Sequence, residues 1–391
     1  MLTSIAIILL LGLLAGGIFS KLRLPSLLGM IIVGIVLSPY ALNLIDESIL
    51  MISSDLRQIA LVIILTRAGL SLEVSDLKKV GRPAVLMCFV PACIEILGTI
   101  ILAPMLIKVS VLEAAIVGSV IAAVSPAVVV PRMIRLMDEG YGKKNSIPQL
   151  ILAGASVDDV FVIVVFTALT TLAATGEISA TSFIRIPISI VLGVILGGCV
   201  GILLVWFFKR YHMRDSVKIL IIISISFLLL EVQNKLEGVI PVSGLLAIMS
   251  TGIMIKKKYD VLASRLSVKY NKLWLGAEVF LFVLVGATVD LKYVMSAGVS
   301  AVLLIIGALL FRMIGVALSL VKTGLSKKER LFCMIAYTPK ATVQAAIGAI
   351  PLSMGLSCGN IVLTVAVLSI LITAPFGAVC VDNLYKRLLE K

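Results

Sequence analysis

The chain has 391 residues, 60% hydrophobic and 14% charged, with a mean hydropathy of +1.18 and a net charge of +13. Soluble domains carry about 25% charged residues, so this chain cannot cover a water-facing surface. A soluble enzyme, a disordered protein and a secreted disulfide scaffold are excluded. A pI near 9.5 would point to nucleic acid in a soluble chain; here it asks where the basic residues stand relative to a membrane.

Apolar stretches of about 17–25 residues predict membrane helices. Thirteen occur, at 2–20, 24–42, 56–74, 82–106, 110–131, 147–174, 183–208, 216–234, 238–256, 273–291, 294–320, 330–352 and 359–384. The first lacks a basic lead-in and a small-residue cleavage site, and reads as a retained helix, not a signal peptide. Loops after odd-numbered helices, with the C-terminal tail, hold 26 of the 34 Lys and Arg, including Lys78 and Lys79, the loop pairs Arg132 and Arg135, and the stretch with Arg265, Lys269 and Lys272. Opposite loops hold five, and Arg67, Arg312 and Lys340 lie inside spans. Basic residues stay on the cytoplasmic side, so the expectation is an all-α polytopic membrane protein, N-terminus outside and C-terminus in the cytoplasm. The positive charge is then a topology signal, and no nucleic acid partner is expected. The six Cys are scattered without a CxxC and read as small core residues.

Two halves match at a near-constant offset. Leu24-Pro25-Ser26-Leu27-Leu28-Gly29 in helix 2 resembles Ile240-Pro241-Val242-Ser243-Gly244-Leu245-Leu246 in helix 9, and Gly69 in helix 3 corresponds to Gly286 in helix 10. Helices 1–6 then pair with 8–13. Seven helices separate equivalents, and seven is odd, so the second copy is upside-down. Inverted-topology repeats characterise secondary transporters. In the same frame Pro126 in helix 5 and Pro339 in helix 12 predict two broken helices, because each Pro removes a backbone hydrogen bond and clashes with the preceding turn. Such breaks survive in a membrane only facing protein or a water-filled cavity.

Eight charges fall within spans: Arg67, Glu95, Asp158, Asp159, Glu231, Glu278, Arg312 and Lys340. Each is costly there, by at least ~2.5 kcal/mol on insertion scales, and each is a functional candidate. Asp158 and Asp159 are adjacent on one helix, about 100° apart, so they serve different partners and do not chelate one ion symmetrically. Desolvation disfavours an ionised carboxylate, and a bound cation restores it; proton and cation therefore compete at such a group. Glu95 and Arg312 occupy equivalent repeat positions with opposite charge and can meet as an ion pair, or Arg312 can pair with Asp158. Lys340 follows the helix-12 break, where a cation neutralises the end of a half-helix or offsets the acidic pair. Arg67 reads as snorkelling, Glu231 and Glu278 as interfacial groups near helix ends, and His212 as a solvated loop residue.

At full length the chain resembles a sodium/proton antiporter of the cation/proton antiporter superfamily, in the paired-aspartate branch called NHA. The motifs that carry the likeness are Arg23-Leu24-Pro25-Ser26-Leu27-Leu28-Gly29, Arg67-Ala68-Gly69-Leu70, Ser125-Pro126-Ala127-Val128-Val129-Val130-Pro131, Ala155-Ser156-Val157-Asp158-Asp159-Val160 and Pro339-Lys340-Ala341-Thr342-Val343-Gln344-Ala345-Ala346. The resemblance implies a homodimer in the cytoplasmic (inner) membrane. Its dimerisation part would be about 1–74 and 183–291, and its ion-transporting core about 75–174 and 292–391, with helices 5 and 12 broken and crossed. It implies Asp159 as the principal carrier of Na+ and H+ with Asp158 beside it, both as Na+ ligands. Backbone carbonyls around Val124 and Ser125, and at Ala155, would join them. It also implies a Glu95–Arg312 ion pair and Lys340 at the crossover.

The reading is thus a transporter, not an enzyme, exchanging Na+ or Li+ for H+ with no cofactor beyond the transported ions. K+/H+ antiport and Na+-coupled solute symport on the same fold are the alternatives; a symporter would need a larger midplane pocket with more polar ligands. An intramembrane aspartyl protease needs its two Asp on separate helices, and a lipid-linked transferase needs spaced acidic motifs on one helix face. Neither pattern is present.

Overall fold

A computed structural model describes residues 1–22, 24–71, 81–175, 180–236, 240, 242–289 and 291–391. Arg23, Lys78, Lys79 and Pro241, read above from the sequence, lie outside the described residues, with the end of the third span and the start of the ninth. Among the described residues all regular structure is helical. The first half contains α1 (Leu2–Lys21), α2 (Ser26–Leu37), α3 (Glu47–Met51), α4 (Ser53–Ser71), α5 (Arg82–Met87), α6 (Val90–Ile107), α7 (Val111–Ile121), α8 (Pro126–Glu139) and α9 (Ile147–Thr175). The second contains α10 (Ala180–Arg210), α11 (Asp215–Leu236), α12 (Gly244–Lys258), α13 (Asp260–Ala287), α14 (Leu291–Ser319), α15 (Lys327–Ala336), α16 (Thr342–Ile347), α17 (Ile350–Ser353) and α18 (Gly359–Leu388).

Among the described residues eight helical stretches are long and apolar enough to cross a membrane: Leu2–Lys21, Arg82–Ile107, Val111–Glu139, Ile147–Ala174, Val191–Arg210, Asp260–Ala287, Gly298–Ser319 and Gly359–Leu388. Ser26–Leu37 and Thr342–Ser353 are apolar but shorter.

Several helices run beyond their apolar stretches. Arg132 and Arg135, expected in a loop, stand on α8, and Arg265, Lys269 and Lys272 stand on α13. Alternation of faces explains the extension. Leu262, Ala263, Leu266 and Tyr270 are buried while the basic residues lie on the other side, an amphipathic pattern that average hydropathy hides. Glu278 accordingly sits well inside α13, not near a helix end. The fourth expected span is also split. Cys88 and Phe89 separate α5 from α6, whose second residue, Pro91, cannot donate to the Met87 carbonyl four positions back.

The chain divides into two compact units. The first gathers Met1–Ser54, Val74–Ala173 and Leu281–Lys391. In it α6 packs along α14, α7 against α6, and α18 against α14 and α15. Ala84, Met87, Val124, Val129, Met133, Phe332 and Tyr337 form part of its apolar core around the helix breaks. At the far end of α8, Arg132 Nε and Arg135 Nη2 donate to Asp382 of α18 at 3.2 and 2.8 Å, and the Tyr385 hydroxyl donates to Glu139 at 2.7 Å. The second unit gathers Asp55–Glu73 and Ala174–Phe280, with α10 and α12 packed side by side. Each unit holds a glycine crossing. In the first, a Cβ on Gly286 would strike the Ile31 carbonyl and stand 3.1 Å from the Gly34 Cα. In the second, a Cβ on Gly69 would strike the Met249 carbonyl and stand 3.1 Å from the Gly252 Cα.

Gly69→Val is therefore expected to force these backbones apart, at a cost of about 1–3 kcal/mol. Gly276→Val, where an added Cβ meets nothing within 4 Å, serves as the control. Thermal unfolding of the detergent-solubilised protein checks this: the first variant should melt well below the wild type and the second near it.

Candidate functional site

The break between α7 and α8 starts from a missing N–H. Pro126 opens α8 and has no donor for the Ala122 carbonyl four residues earlier. The two preceding N–H groups also leave the helical pattern. Val124 N–H donates to Asp158 Oδ2 at 2.8 Å, and Ser125 N–H donates to the Pro339 carbonyl at 2.8 Å. That last bond joins the first break to the second.

The second break separates α15 from α16 across Tyr337 to Ala341. Thr338 folds back, its N–H and hydroxyl both donating to the Ile335 carbonyl. Lys340 N–H donates to Thr373 Oγ1 on α18 at 2.9 Å. Ala341 N–H donates to Gln344 Oε1 at 2.8 Å. The Tyr337 carbonyl is left for a side chain.

Arg312, from α14, fills both vacancies. Its Nε donates to the Tyr337 carbonyl at 2.6 Å, and its Nη1 donates to the Ala122 carbonyl. The same guanidinium pairs with Glu95 Oε2 of α6 at 2.9 Å and with Asp158 Oδ2 of α9 at 2.8 Å. Four of its five N–H donors are thereby engaged, and its plane lies against the Tyr337 ring, 5.4 Å from the centroid. Lys340 Nζ contacts both Glu95 oxygens at 2.7 Å. Glu95, Asp158 and Arg312 are fully buried and Lys340 is 1% exposed. The choice left open by the sequence, Arg312 against Glu95 or Asp158, resolves as both together.

Asp159 differs from these four. It follows Asp158 on the continuous helix α9, is half-buried, and its Oδ1 has no hydrogen-bond partner among the described residues. Among the same residues, Asp158 Oδ1, Ser125 Oγ and Thr342 Oγ1 are likewise buried and unpartnered. Two cations and two carboxylates balance within the buried set, so Asp159 is the carboxylate left over in electrostatic reach of it. Ala155 lies one turn earlier on the same unbroken helix and is fully buried. The Ser125 carbonyl is occupied, accepting Val128 and Val129 N–H at 3.2 and 3.1 Å.

The remaining charges noted in the sequence stand apart from this cluster. Arg67 and Glu278 are partly buried electrostatic neighbours in the second unit. Glu231 pairs with Lys235 at 3.5 Å on an exposed helix face, and His212 is exposed between α10 and α11. Sequence reasoning gave no individual role to three residues of the site, Tyr337, Thr373 and Gln344, the last of which entered only within the stretch from Pro339 to Ala346. A buried amide next to a predicted break is the one feature that could have marked Gln344.

The model of the transmembrane sodium/hydrogen exchanger family matches residues 5–382. Human sodium/hydrogen exchanger 9B2 is 33% identical, over 94% of this chain and 70% of its own length. Human sodium/hydrogen exchanger 9B1 is 32% identical, over 94% of this chain and 73% of its own. In three dimensions the chain is similar to the sodium proton antiporter MjNhaP1 from Methanocaldococcus jannaschii, solved at pH 8. The TM-score is 0.86 at 21% identity, covering 99% of this chain and 98% of that one.

Removing Arg312 strands two buried carboxylates and two carbonyl ends at once. Arg312→Met should destabilise the protein by about 3–5 kcal/mol, the range for breaking a buried ion pair from one side. In a Glu95→Gln, Arg312→Met double variant the loss should fall short of the sum of the single losses. Thermal melts of the three variants check both statements; additive losses would count against a shared network.

Proposed function

Since the chain belongs to the sodium/hydrogen exchanger family, we propose that it exchanges Na+ or Li+ for H+ across the cytoplasmic (inner) membrane, with Asp159 as the carrier. Membership makes it a multi-pass membrane protein and a cation/proton antiporter, not an enzyme. The observation that carries the finer reading is the charge balance. Glu95 and Asp158 are answered by Arg312 and Lys340, while Asp159 keeps an unpartnered, buried Oδ1. A carboxylate in that setting crosses a low-dielectric layer cheaply only when a proton or a cation neutralises it. The two ligands compete for one group, and alternating exposure of that group makes them exchange. Asp158 is the less free of the pair, holding Val124 N–H and Arg312. With Asp159 it would act on Na+ through its second oxygen, joined by backbone at Val124, the Ser125 hydroxyl and Ala155.

The inverted repeat and the thirteen crossings, helices 1–6 against 8–13, belong to the same proposal. Two capping boxes support it. Ser110 with Glu113 caps α7, and Ser326 with Glu329 caps α15, 216 residues later. In each, the Glu's other oxygen accepts from a distant side chain, Ser357 or Asn145. The glycine crossings support it too: the repeat offset relates Gly69 to Gly286 and Gly34 to Gly252, so each crossing is the image of the other. The proposed architecture is an elevator. A core of about 75–174 and 292–391 moves against a dimerisation part of about 1–74 and 183–291 in a homodimer, with the N-terminus outside and the C-terminus in the cytoplasm.

Purified protein in proteoliposomes with an imposed pH gradient tests the function. Na+ and Li+ should dissipate the gradient in the wild type, K+ serving as the comparison, and lower pH should raise the apparent KM for Na+. Asp159→Asn should abolish the flux; sustained exchange by that variant would overturn the assignment.

A further inference from the structure

The freed carbonyls of the α7–α8 break follow a definite pattern. In an uninterrupted helix each N–H reaches the carbonyl four residues back. Here Val124 N–H, which would reach Val120, goes to Asp158, and Ser125 N–H, which would reach Ile121, goes to Pro339. Pro126 has no N–H for Ala122. Val128 N–H, which would reach Val124, turns to Ser125 at 3.2 Å. Three of the carbonyls in this stretch are taken up again. Arg312 takes Ala122. One side chain takes the other two: Gln344 Nε2 donates to Val120 at 3.1 Å and to Ala123 at 3.0 Å. Among the described residues no donor reaches the Ile121 or Val124 carbonyl.

Gln344 lies on α16, across the crossover, and is fully buried. Its Oε1 accepts Ala341 N–H at 2.8 Å, so the amide binds the end of one half-helix and the start of another. The partners dictate the residue type. One N–H and two carbonyls require one acceptor and two donors on the same short group. Ionised Glu offers no donor, and Lys or Arg offers no acceptor. An apolar side chain would leave all three backbone groups bare in a dry interior.

We propose that Gln344 is a positioning residue that determines cation preference. By holding the Val120 and Ala123 carbonyls it withholds them from the transported ion and leaves the Val124 and Ile121 carbonyls to face it beside Asp159. The inference rests on the antiport reading above and adds to it the residue that sets the backbone half of the ligand shell. Unwound carbonyls at half-helix ends coordinate cations in transporters, and the number and orientation of carbonyl dipoles govern which alkali ion is preferred. Without the amide, two further carbonyls become free to swing, and the shell loses its fixed size.

The test compares full-length wild type with Gln344→Met, similar in length but without donor or strong acceptor, in proteoliposomes with Na+, Li+ and K+. The apparent KM for Na+ should rise roughly ten-fold, the scale of losing oriented hydrogen bonds, and the preference for Na+ over K+ should narrow. The turnover at saturating Na+ should stay within about two-fold of wild type, the signature of lost binding instead of lost catalysis. A purely structural role would lower turnover and melting temperature together and leave KM and the Na+/K+ ratio unmoved; that result overturns the proposal. Gln344→Asn, too short to reach both half-helices, is judged by the same two quantities should the Met variant not fold. A wild type that exchanges no cation for H+ overturns the antiport reading and this proposal with it. A transporting wild type beside an indifferent Gln344 variant overturns the proposal alone.

Discussion

One guanidinium holds the centre of this molecule together. Arg312 binds the carbonyl end of each of two broken helices and a carboxylate from each of two further helices. A fully buried cation is tolerated only when its charge and its donors are both answered, and here four hydrogen bonds and two anions answer them. Those bonds also fix where the helices α6, α9, α14 and the two breaks stand relative to each other. Lys would not substitute: a compact ammonium has neither the span nor the planar fork to reach four acceptors on four segments.

The breaks and the charges depend on one another. A helix interrupted in an apolar interior exposes carbonyls and N–H groups that nothing in lipid can satisfy. Pro126 frees the Ala122 carbonyl and Arg312 occupies it; Pro339 stands in the second break, and its own carbonyl takes Ser125 N–H. The backbone defects and the buried ionic groups therefore stabilise each other, and neither arrangement is economical alone. Asp159, beside Asp158 on α9, stands outside this mutual arrangement, with no partner for its Oδ1 among the described residues.

The sequence displays these parts unequally. A charge within an apolar run, or a Pro in the middle of one, announces itself because the residue type alone conflicts with its surroundings. Glu95, Arg312, Lys340 and the aspartate pair were legible for that reason, and so were Pro126 and Pro339. Partnership was legible only in part: the repeat offset matched Arg312 to Glu95, with Asp158 as the alternative, and the guanidinium meets both. Lys340 meets Glu95 across 245 residues, and no local pattern carries that distance. Gln344 looked like any polar residue on a span, because its meaning lies in three backbone groups that only the folded chain brings together. The basic first half of α13 read as a loop because charge lowered its mean hydropathy; the division of its two faces, which makes it helical, shows only when periodicity is weighed above the average.

The overrun of α8 has a mechanical side. The helix runs from Pro126 to Glu139, between its caps Ser125 and Gly140, fourteen residues that span about 21 Å at 1.5 Å per residue. Its far end is clamped: Asp382 grips Arg132 and Arg135, and Glu139 holds the Tyr385 hydroxyl. Pro131, inside the helix, has no N–H for the Ala127 carbonyl, so the hydrogen-bonded run is interrupted between the two ends. Its two ends are thus held by different partners: the break-side end by Asp158 and the Pro339 carbonyl, the far end by Asp382 and the Tyr385 hydroxyl.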